Sequence, residues 1–235
     1  MSLLRSFNDG VTLLIGRMRQ NRKVQIPQAL KNQVKVNLGC GLAIAPGWIN
    51  IDGSLNALIA SMPQILHIIA YRLTGSNRYY TESEYCRLLK NNYFVHHNLS
   101  HSIPLPNNSV DFIFTSHFLE HLYLSNAKNL LSECFRVLKI GGVIRISVPD
   151  LEYAVSLYRA GEKKEMLEQY FFVEDDDSYY ARHKYMYDFE LLREKLEDAK
   201  FQNITRQQFQ VGLTPDITML DNRPEDSLYV EAVKC

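Results

Sequence analysis

The chain has 235 residues, of which 46% are hydrophobic and 22% are charged, and this composition is typical of a folded globular protein rather than a disordered or fibrous one. Lysine plus arginine and aspartate plus glutamate both number 26, so no net charge draws the chain to nucleic acid or to an acidic membrane. The four cysteines form no C-x-x-C pair and predict neither a zinc knuckle nor a disulfide framework. Polar residues interrupt the N-terminal apolar stretch that a signal peptide needs. We therefore expect a cytoplasmic protein with a small or neutral partner.

The N-terminal part of the chain is predicted to contain a helical segment, followed by the first two strands of a domain and a glycine-containing turn. Residues 1–32 carry apolar side chains at helical spacing and predict a helical prelude that packs against a domain formed by 33–235. Within that domain, 34–38 reads as a buried strand that stops at the turn Gly39-Cys40-Gly41. A second strand is predicted at 48–51, and Asp52 and Gly53 follow it.

Strand and helix patterns alternate along the rest of the chain. Gly141 and Gly142 are expected to cap the C-terminus of the helix predicted at 126–138. The alternation predicts an α/β fold with a doubly wound, mostly parallel sheet, in which ligands bind at the carboxyl ends of the strands. The later strands are predicted at 93–97, 110–115, 143–148, 203–209 and 228–233, and the later helices at 126–138 and 189–199.

A helical insertion is predicted at 55–90, after the second strand. Its first part, 55–73, carries Arg72 as its only formal charge, but it connects two strands of one sheet and contains Pro63, which argues against a transmembrane segment. We interpret it as two short helices that form a lid or a homodimer interface, with weak membrane contact as the alternative. A capped amphipathic helix is expected from Thr81 onwards. The side chains expected to be buried by the lid or partner include Leu58, Ile65, Ile69 and Leu73.

The Gly39-Cys40-Gly41 turn and Asp52 form the first candidate ligand site. Glycines remove the side chains that keep a ligand away from the backbone, although a simple tight turn explains them equally well. An acid at the end of the next strand is placed where a carboxylate accepts hydrogen bonds from a ribose diol. The two strand ends together indicate a nucleoside site.

Five stretches of the sequence, taken in order, carry a resemblance to a known family: 36–41, 50–52, 105–113, 118–122 and 135–142. They resemble a class I S-adenosylmethionine-dependent methyltransferase, and most closely the small bacterial methyltransferases often found beside genes for surface-sugar or natural-product assembly. The resemblance covers residues 34 to about 233. It implies a Rossmann-like fold, S-adenosylmethionine as cofactor and methyl transfer as the activity.

The resemblance also implies roles for individual residues. Gly39, Cys40 and Gly41 would lie against the methionine and ribose of the cofactor, and Asp52, followed by Gly53, would take the ribose hydroxyls. Two amides stand where many members of the family have an acid, and they add no charge to the site. These amides are Asn37, near the methionine ammonium, and Asn98, which with Leu99 would meet the adenine, while Ser116 and His117 would border the sulfonium and the acceptor.

The candidate bases are His117, His121 and His183, although a packed structural histidine is the alternative for each. A base is needed only if the acceptor must lose a proton, because the methyl donor is already activated. His117, Glu120 and His121, with His183 as a fourth ligand, also resemble the metal site of some metal-dependent O-methyltransferases. An acid at a helix N-terminus explains Glu120 equally well, so we predict no metal.

We expect methyl transfer to an oxygen or nitrogen of a small metabolite or saccharide, not to nucleic acid. The alternatives are a non-catalytic module that binds S-adenosylmethionine and a nicotinamide-dependent oxidoreductase. The short gap between Gly41 and Asp52 disfavours the oxidoreductase, because a dinucleotide fold has roughly 20 residues there. Many aromatic residues follow the fifth strand and form either core or a wall of the acceptor site: Tyr153, Tyr158, Tyr170, Phe171, Phe172, Tyr179, Tyr180, Tyr185 and Tyr187.

Overall fold

A computed structural model of the chain describes residues 10, 12, 14–171 and 182–235. Within these residues one seven-stranded sheet forms, from β1 (Lys35–Leu38), β2 (Ile49–Asp52), β3 (Tyr93–His96), β4 (Val110–Ser116), β5 (Leu138–Pro149), β6 (Gln202–Gln207) and β7 (Ser227–Val233). The strand order is β3-β2-β1-β4-β5-β7-β6. Strands β1 to β5 run parallel to one another, and β7 runs antiparallel to both β5 and β6. The predicted doubly wound, mostly parallel sheet is thus confirmed.

Helices connect the strands. Asp188 caps the N-terminus of the last long helix by accepting a hydrogen bond from the Leu191 N–H at 2.8 Å. The α-helices are α1 (Leu55–Ile59), α2 (Gln64–Leu73), α3 (Glu82–Asn91), α4 (Leu124–Val137), α5 (Leu151–Ala160), α6 (Lys163–Met166), α7 (Phe189–Asp198) and α8 (Ile217–Leu220). Short 3₁₀ turns occur at Gln28–Leu30, Ser76–Arg78 and Leu119–His121, and a π-helical turn at Leu167–Phe171.

The strand register brings the carboxyl ends of the central strands to one edge of the sheet. Leu38, the last residue of β1, pairs with Ile51 of β2 and with Thr115 of β4. Ser116, which ends β4, pairs with Ser147 of β5. The turn after β1, the acid that ends β2 and the segment after β4 therefore lie along one line, which we call the carboxyl edge.

The main core lies between the sheet and the helices α4 and α7. Leu130, Leu131 and Cys134 of α4 pack into it, and Leu192 and Leu196 of α7 pack into the same cluster. The helical spacing of these apolar residues predicted both helices from the sequence. The expectation that Gly141 and Gly142 cap α4 is wrong, because α4 ends at Val137 and β5 begins directly at Leu138.

The segment between β2 and β3 holds α1, α2 and α3, which share a small core of their own. The expected cap on α3 is confirmed: Thr81 and Glu84 form a capping box. Leu58 is buried as expected, whereas Ile65, Ile69 and Leu73 are exposed by 62%, 48% and 40% within this chain, so their burial by a second subunit stays a prediction. The rotation of α2 about its axis turns His67, Ala70 and Tyr71, rather than these residues, towards its neighbours.

None of the helices that the structure describes combines the length and the apolar character needed to cross a membrane. Of the predicted prelude, residues 14–18 are helical, whereas 1–9, 11 and 13 lie outside the described residues. Partly buried side chains of the following stretch, Val24, Ile26 and Leu30, pack against the main core. A boundary between prelude and domain at residue 32 stays a prediction.

A buried ionic network attaches the segment between β6 and β7 to the sheet. The Arg145 guanidinium on β5 is fully buried and donates to both carboxylate oxygens of Asp221, at 3.1 and 2.6 Å. It also donates to Glu231 of β7 at 3.3 Å and to the carbonyls of Gln208 and Val211. The sequence analysis did not single out these residues.

Candidate functional site

The glycine turn after β1 leaves a bare backbone at the carboxyl edge. Gly39 and Gly41 have φ angles of +64° and +50°, in the left-handed region that glycine adopts without strain. The Gly39 N–H donates to the Ile51 carbonyl at 2.9 Å, which keeps the turn against β2. No atom lies within 4 Å of the position that a Gly41 Cβ would occupy. A ligand therefore has room to approach the backbone there.

Asp52 lies against this turn. One of its carboxylate oxygens accepts a hydrogen bond from the Gly41 N–H at 2.8 Å, and the other accepts one from the Ser54 N–H at 2.7 Å. The side chain thus connects the turns that follow β1 and β2. The structure brings together the two features that indicated a nucleoside site in the sequence, and it adds that the carboxylate itself holds the turn in shape.

Phe118 is a neighbour of the turn that sequence reasoning missed. A Cβ built on Gly39 would lie 2.1 Å from Cγ of the Phe118 ring. Only glycine allows this ring to pack on the backbone of the turn. Phe118 follows His117 directly, so the contact connects the glycine turn to the segment that carries the candidate bases.

Asn37 and Cys40 occupy inner positions of the site. The buried Asn37 amide donates to the Ala43 carbonyl at 2.8 Å and lies 3.4 Å from the Asn50 side-chain oxygen, so it braces the loop after the turn. Burial, and secondarily the charge of Asp52, raises the pKa of the Cys40 thiol well above its usual value. The thiol is therefore neutral at physiological pH. A contact of either residue with the cofactor stays a prediction.

The remaining predicted cofactor residues follow β2, β3 and β4. The Asn98 side-chain oxygen accepts hydrogen bonds from the N–H and hydroxyl of Ser100, at 3.0 and 2.5 Å. The Leu99 side chain is buried in the main core, so only the backbone of Leu99 is placed to contact a ligand. The Gly53 carbonyl lies 3.1 Å from Nε2 of a neighbouring histidine on β3, and Ser116 lies at the carboxyl edge.

The three candidate bases lie around one buried carboxylate. His117 has a φ of +48°, and its Nε2 lies 2.9 Å from the Ser227 hydroxyl oxygen. Its Nδ1 lies 3.5 Å from Oε1 of Glu120, and Nε2 of His121 lies 3.8 Å from the same oxygen. The His183 ring centroid is 5.0 Å from that of His121. The structure thus brings His117, His121 and His183 together, although 62 residues separate the last two in the sequence.

Glu120 is the centre of this group, and its side chain is 0% exposed. Neither of its carboxylate oxygens has a hydrogen-bond partner among the described residues. Burial lowers the pKa of His121 despite the opposing effect of the Glu120 charge, so this imidazole is neutral at pH 7. The sequence named Glu120 but gave no reason to expect a buried, unpartnered carboxylate.

The aromatic residues divide into core and surface. Tyr170 and Tyr187 are buried, whereas Tyr153 and Tyr158 are exposed by 38% and 50%. Burial raises the pKa of the Tyr187 hydroxyl, which keeps it protonated. Core packing therefore explains part of the set. Three of its members, Phe172, Tyr179 and Tyr180, lie outside the described residues.

Comparison with known sequences points to one enzyme class. Residues 57–146 match the family model of a methyltransferase domain. A stretch of 55 residues, 23% of this chain, is 44% identical to a protein of Mycolicibacterium smegmatis named a probable S-adenosylmethionine-dependent methyltransferase. The match covers 20% of that relative, so this chain spans only about a fifth of its length in the comparison.

Comparison with solved structures shows the fold. An S-adenosylmethionine-dependent methyltransferase from Archaeoglobus fulgidus superposes with a TM-score of 0.51 and 17% identity, over 97% of this chain and 94% of the other. A protein from Bordetella parapertussis described as a possible exported protein gives a TM-score of 0.51 and 17% identity, over 88% and 65%. The chain has the Rossmann-like class I methyltransferase fold. The two sequence matches, which cover 57–146 and 23% of the chain, are to a methyltransferase domain and to a methyltransferase relative.

Proposed function

We propose that the chain transfers a methyl group from S-adenosylmethionine to an oxygen or nitrogen of a small metabolite or saccharide. The observation that carries this proposal is the hydrogen bond from the Gly41 N–H to the Asp52 carboxylate. The segment that carries His117 and His121 lies next to this turn, because Phe118 packs on Gly39. The open space beyond Gly41 and the acid at the end of β2 fit a nucleoside with a ribose diol.

The residues of the glycine turn and Asp52 would hold the methionine and ribose parts of the cofactor. When bound, S-adenosylmethionine supplies an electrophilic methyl group on a sulfonium, so the protein contributes mainly position. In this proposal Gly53 follows Asp52 on the ribose side, Asn98 and Leu99 border the adenine, and Ser116 borders the sulfonium. Asn37 supports the loop after the glycine turn by donating a hydrogen bond to the Ala43 carbonyl.

The acceptor would bind on the side of the histidine group. His117, His121 and His183 offer imidazole nitrogens that would accept the proton of an acceptor hydroxyl or amine. The balance of 26 basic and 26 acidic residues supports a small or neutral acceptor rather than a nucleic acid. The saccharide class comes from the resemblance to methyltransferases of surface-sugar gene clusters. Four free cysteines fit a reducing compartment, and we place the protein in the cytoplasm.

The two alternatives differ from methyl transfer in what they bind and release. A nicotinamide-dependent oxidoreductase is disfavoured because the residues that the structure describes between β1 and β2 contain no crossover helix. A non-catalytic module would bind S-adenosylmethionine without releasing a methylated product. Incubating the protein with a methyl-labelled donor and a metabolite extract distinguishes these cases, and we expect label in a small product. Cofactor binding without labelled product would contradict the transfer.

Asp52→Ala is expected to weaken S-adenosylmethionine binding by about 1 to 3 kcal/mol, because the ribose hydroxyls and the Gly41 N–H both lose their acceptor. Isothermal calorimetry measures the change. The matched control is Asp111→Ala, since Asp111 also accepts from a backbone N–H, that of Val34, but at the opposite edge of the sheet. Equal weakening by both variants would contradict a direct role for Asp52.

The exposed face of α2 is proposed to pair with a second copy of the chain, with weak membrane contact through 55–73 as the alternative. Ile65 and Ile69 lie on this face, and they are apolar and exposed. The double substitution Ile65→Ser and Ile69→Ser should convert a dimer to a monomer in sedimentation measurements. Ile140→Ser is the control, because Ile140 is 80% exposed but lies on β5, away from α2. A wild-type chain that sediments as a monomer would contradict the pairing.

A further inference from the structure

The Glu120 side chain presents an electrostatic problem that the methyl-transfer proposal does not solve. Its carboxylate is fully buried, and neither oxygen has a hydrogen-bond partner within the described part of the chain. Burying an ionised carboxylate without compensation is costly, so such groups are paired or coordinate a metal. In its ionised form this carboxylate therefore needs a cation next to it.

The orientation of two neighbouring histidines indicates which kind of cation. Nδ1 of His121 lies 3.2 Å from the Arg182 carbonyl oxygen, and Nδ1 of His183 lies 2.7 Å from the Tyr170 carbonyl oxygen. A carbonyl only accepts hydrogen bonds, so each Nδ1 carries a proton, and in the neutral form of the ring Nε2 presents a lone pair. A hydrogen bond from the second ring nitrogen to a carbonyl is the usual support of a metal-binding histidine.

We propose that Glu120, His121 and His183 bind one divalent transition-metal cation of the Zn²⁺ class. One ligand atom from each of the three residues lies within 4.8 Å of the other two. Two imidazoles and one carboxylate form a set that suits such cations and leaves coordination positions open. Zinc–ligand bonds of about 2.0 to 2.2 Å require the ligand atoms to lie closer together than 4.8 Å. Side-chain movements of roughly 1 Å must therefore accompany binding.

The position of this site relates it to the proposed methyl transfer, on which its catalytic use depends. Phe118, two residues before Glu120, packs on Gly39 of the glycine turn. An open coordination position would bind an acceptor oxygen or nitrogen and favour loss of its proton. His121 and His183 would then be ligands rather than bases, which leaves His117 as the remaining candidate base. Cation binding itself does not require the methyl donor.

A competing explanation needs no metal. His117 and His121 lie 3.5 and 3.8 Å from Oε1 of Glu120, and a protonated imidazole at either position would neutralise the carboxylate. This arrangement predicts no stoichiometric affinity for a cation. The two explanations therefore differ in a direct binding measurement made without S-adenosylmethionine.

The test is the binding of Zn²⁺ to the chelator-treated 235-residue chain, measured by calorimetry and by elemental analysis after dialysis. We expect one cation per chain in the wild type. His183→Ala is the main variant, because His183 lies on a partly exposed segment outside the sheet and its loss spares the core. It should weaken binding by about 100-fold or more. Glu120→Gln, which keeps the side-chain shape, should give the same result.

His101→Ala is the control, because His101 is an exposed histidine outside the group and should leave the affinity unchanged. Replacing Zn²⁺ with Co²⁺ adds a spectroscopic signature of nitrogen and oxygen ligation that a surface-bound ion would not give. Substoichiometric binding by folded wild-type protein would overturn the proposal. Binding that His183→Ala and Glu120→Gln leave unchanged would overturn it too. Neither result bears on S-adenosylmethionine affinity, which calorimetry measures separately.

Discussion

Arg145→Met is expected to lower the free energy of unfolding by about 3 to 5 kcal/mol. Methionine keeps an extended apolar side chain but removes the guanidinium, so the carboxylates of Asp221 and Glu231 stay buried without their cation. The carbonyls of Gln208 and Val211 lose a hydrogen-bond donor in the same substitution. An uncompensated buried charge costs far more than an exposed ion pair contributes.

Urea denaturation measures this loss, and Arg193→Met is the matched control. Arg193 lies on α7, is about half exposed and pairs with Glu190 and Glu197, so the same substitution there should change the free energy of unfolding by less than about 1 kcal/mol. If Arg145→Met lowered the free energy of unfolding as little as Arg193→Met, the ionic network would not hold the segment between β6 and β7 to the sheet.

The sheet could be predicted from the sequence because its central strands are buried on both faces. Such strands are continuous apolar runs bounded by turn residues, and the predicted ranges 34–38 and 110–115 differ from β1 and β4 by one residue. The glycines at 141 and 142 misled the prediction. Gly141, with a φ of +79°, lies within the extended segment of β5, where a helix cap and a strand irregularity give the same sequence signal.

The site could be predicted only where chain topology decides it. Gly41 and Asp52 follow neighbouring parallel strands, so their approach needs no information beyond strand order. Glu120 and His183 meet through the packing of a distant loop, which no local pattern encodes, and only the resemblance to some metal-dependent O-methyltransferases grouped them. Arg145 did leave a signal, because it interrupts the apolar run 143–148 just as Glu231 interrupts 228–233. Opposite charges in two apolar strands indicate a buried pair.

Gly39→Ala is expected to lower the free energy of unfolding by about 2 to 5 kcal/mol and to weaken S-adenosylmethionine binding by about tenfold or more. Two separate costs add. An alanine at a φ of +64° is strained, and its Cβ would lie 2.1 Å from Cγ of Phe118, so the ring must move. Moving that ring changes the shape of the turn that would hold the cofactor. Thermal or urea unfolding and calorimetry measure the two effects.

Gly41→Ala separates these costs. Gly41 has a similar φ of +50°, but no atom lies within 4 Å of its added Cβ, so this variant carries the backbone strain alone. We expect a loss of about 1 to 2 kcal/mol in the free energy of unfolding. Equal destabilisation by Gly39→Ala and Gly41→Ala would mean that the Phe118 ring moves aside without cost.

The clash is tested directly by combining Gly39→Ala with Phe118→Ala. Without the ring, the added Cβ meets no aromatic carbon, so Gly39→Ala in the Phe118→Ala background should cost only the backbone strain. The double variant is then more stable than the sum of the single effects by about 1 to 3 kcal/mol, which is the part of the cost that overpacking contributes. Residues that do not touch give additive effects within about 0.5 kcal/mol. Additivity here would therefore show that Phe118 does not pack on the glycine turn, and it would remove the contact that connects this turn to the Glu120 group.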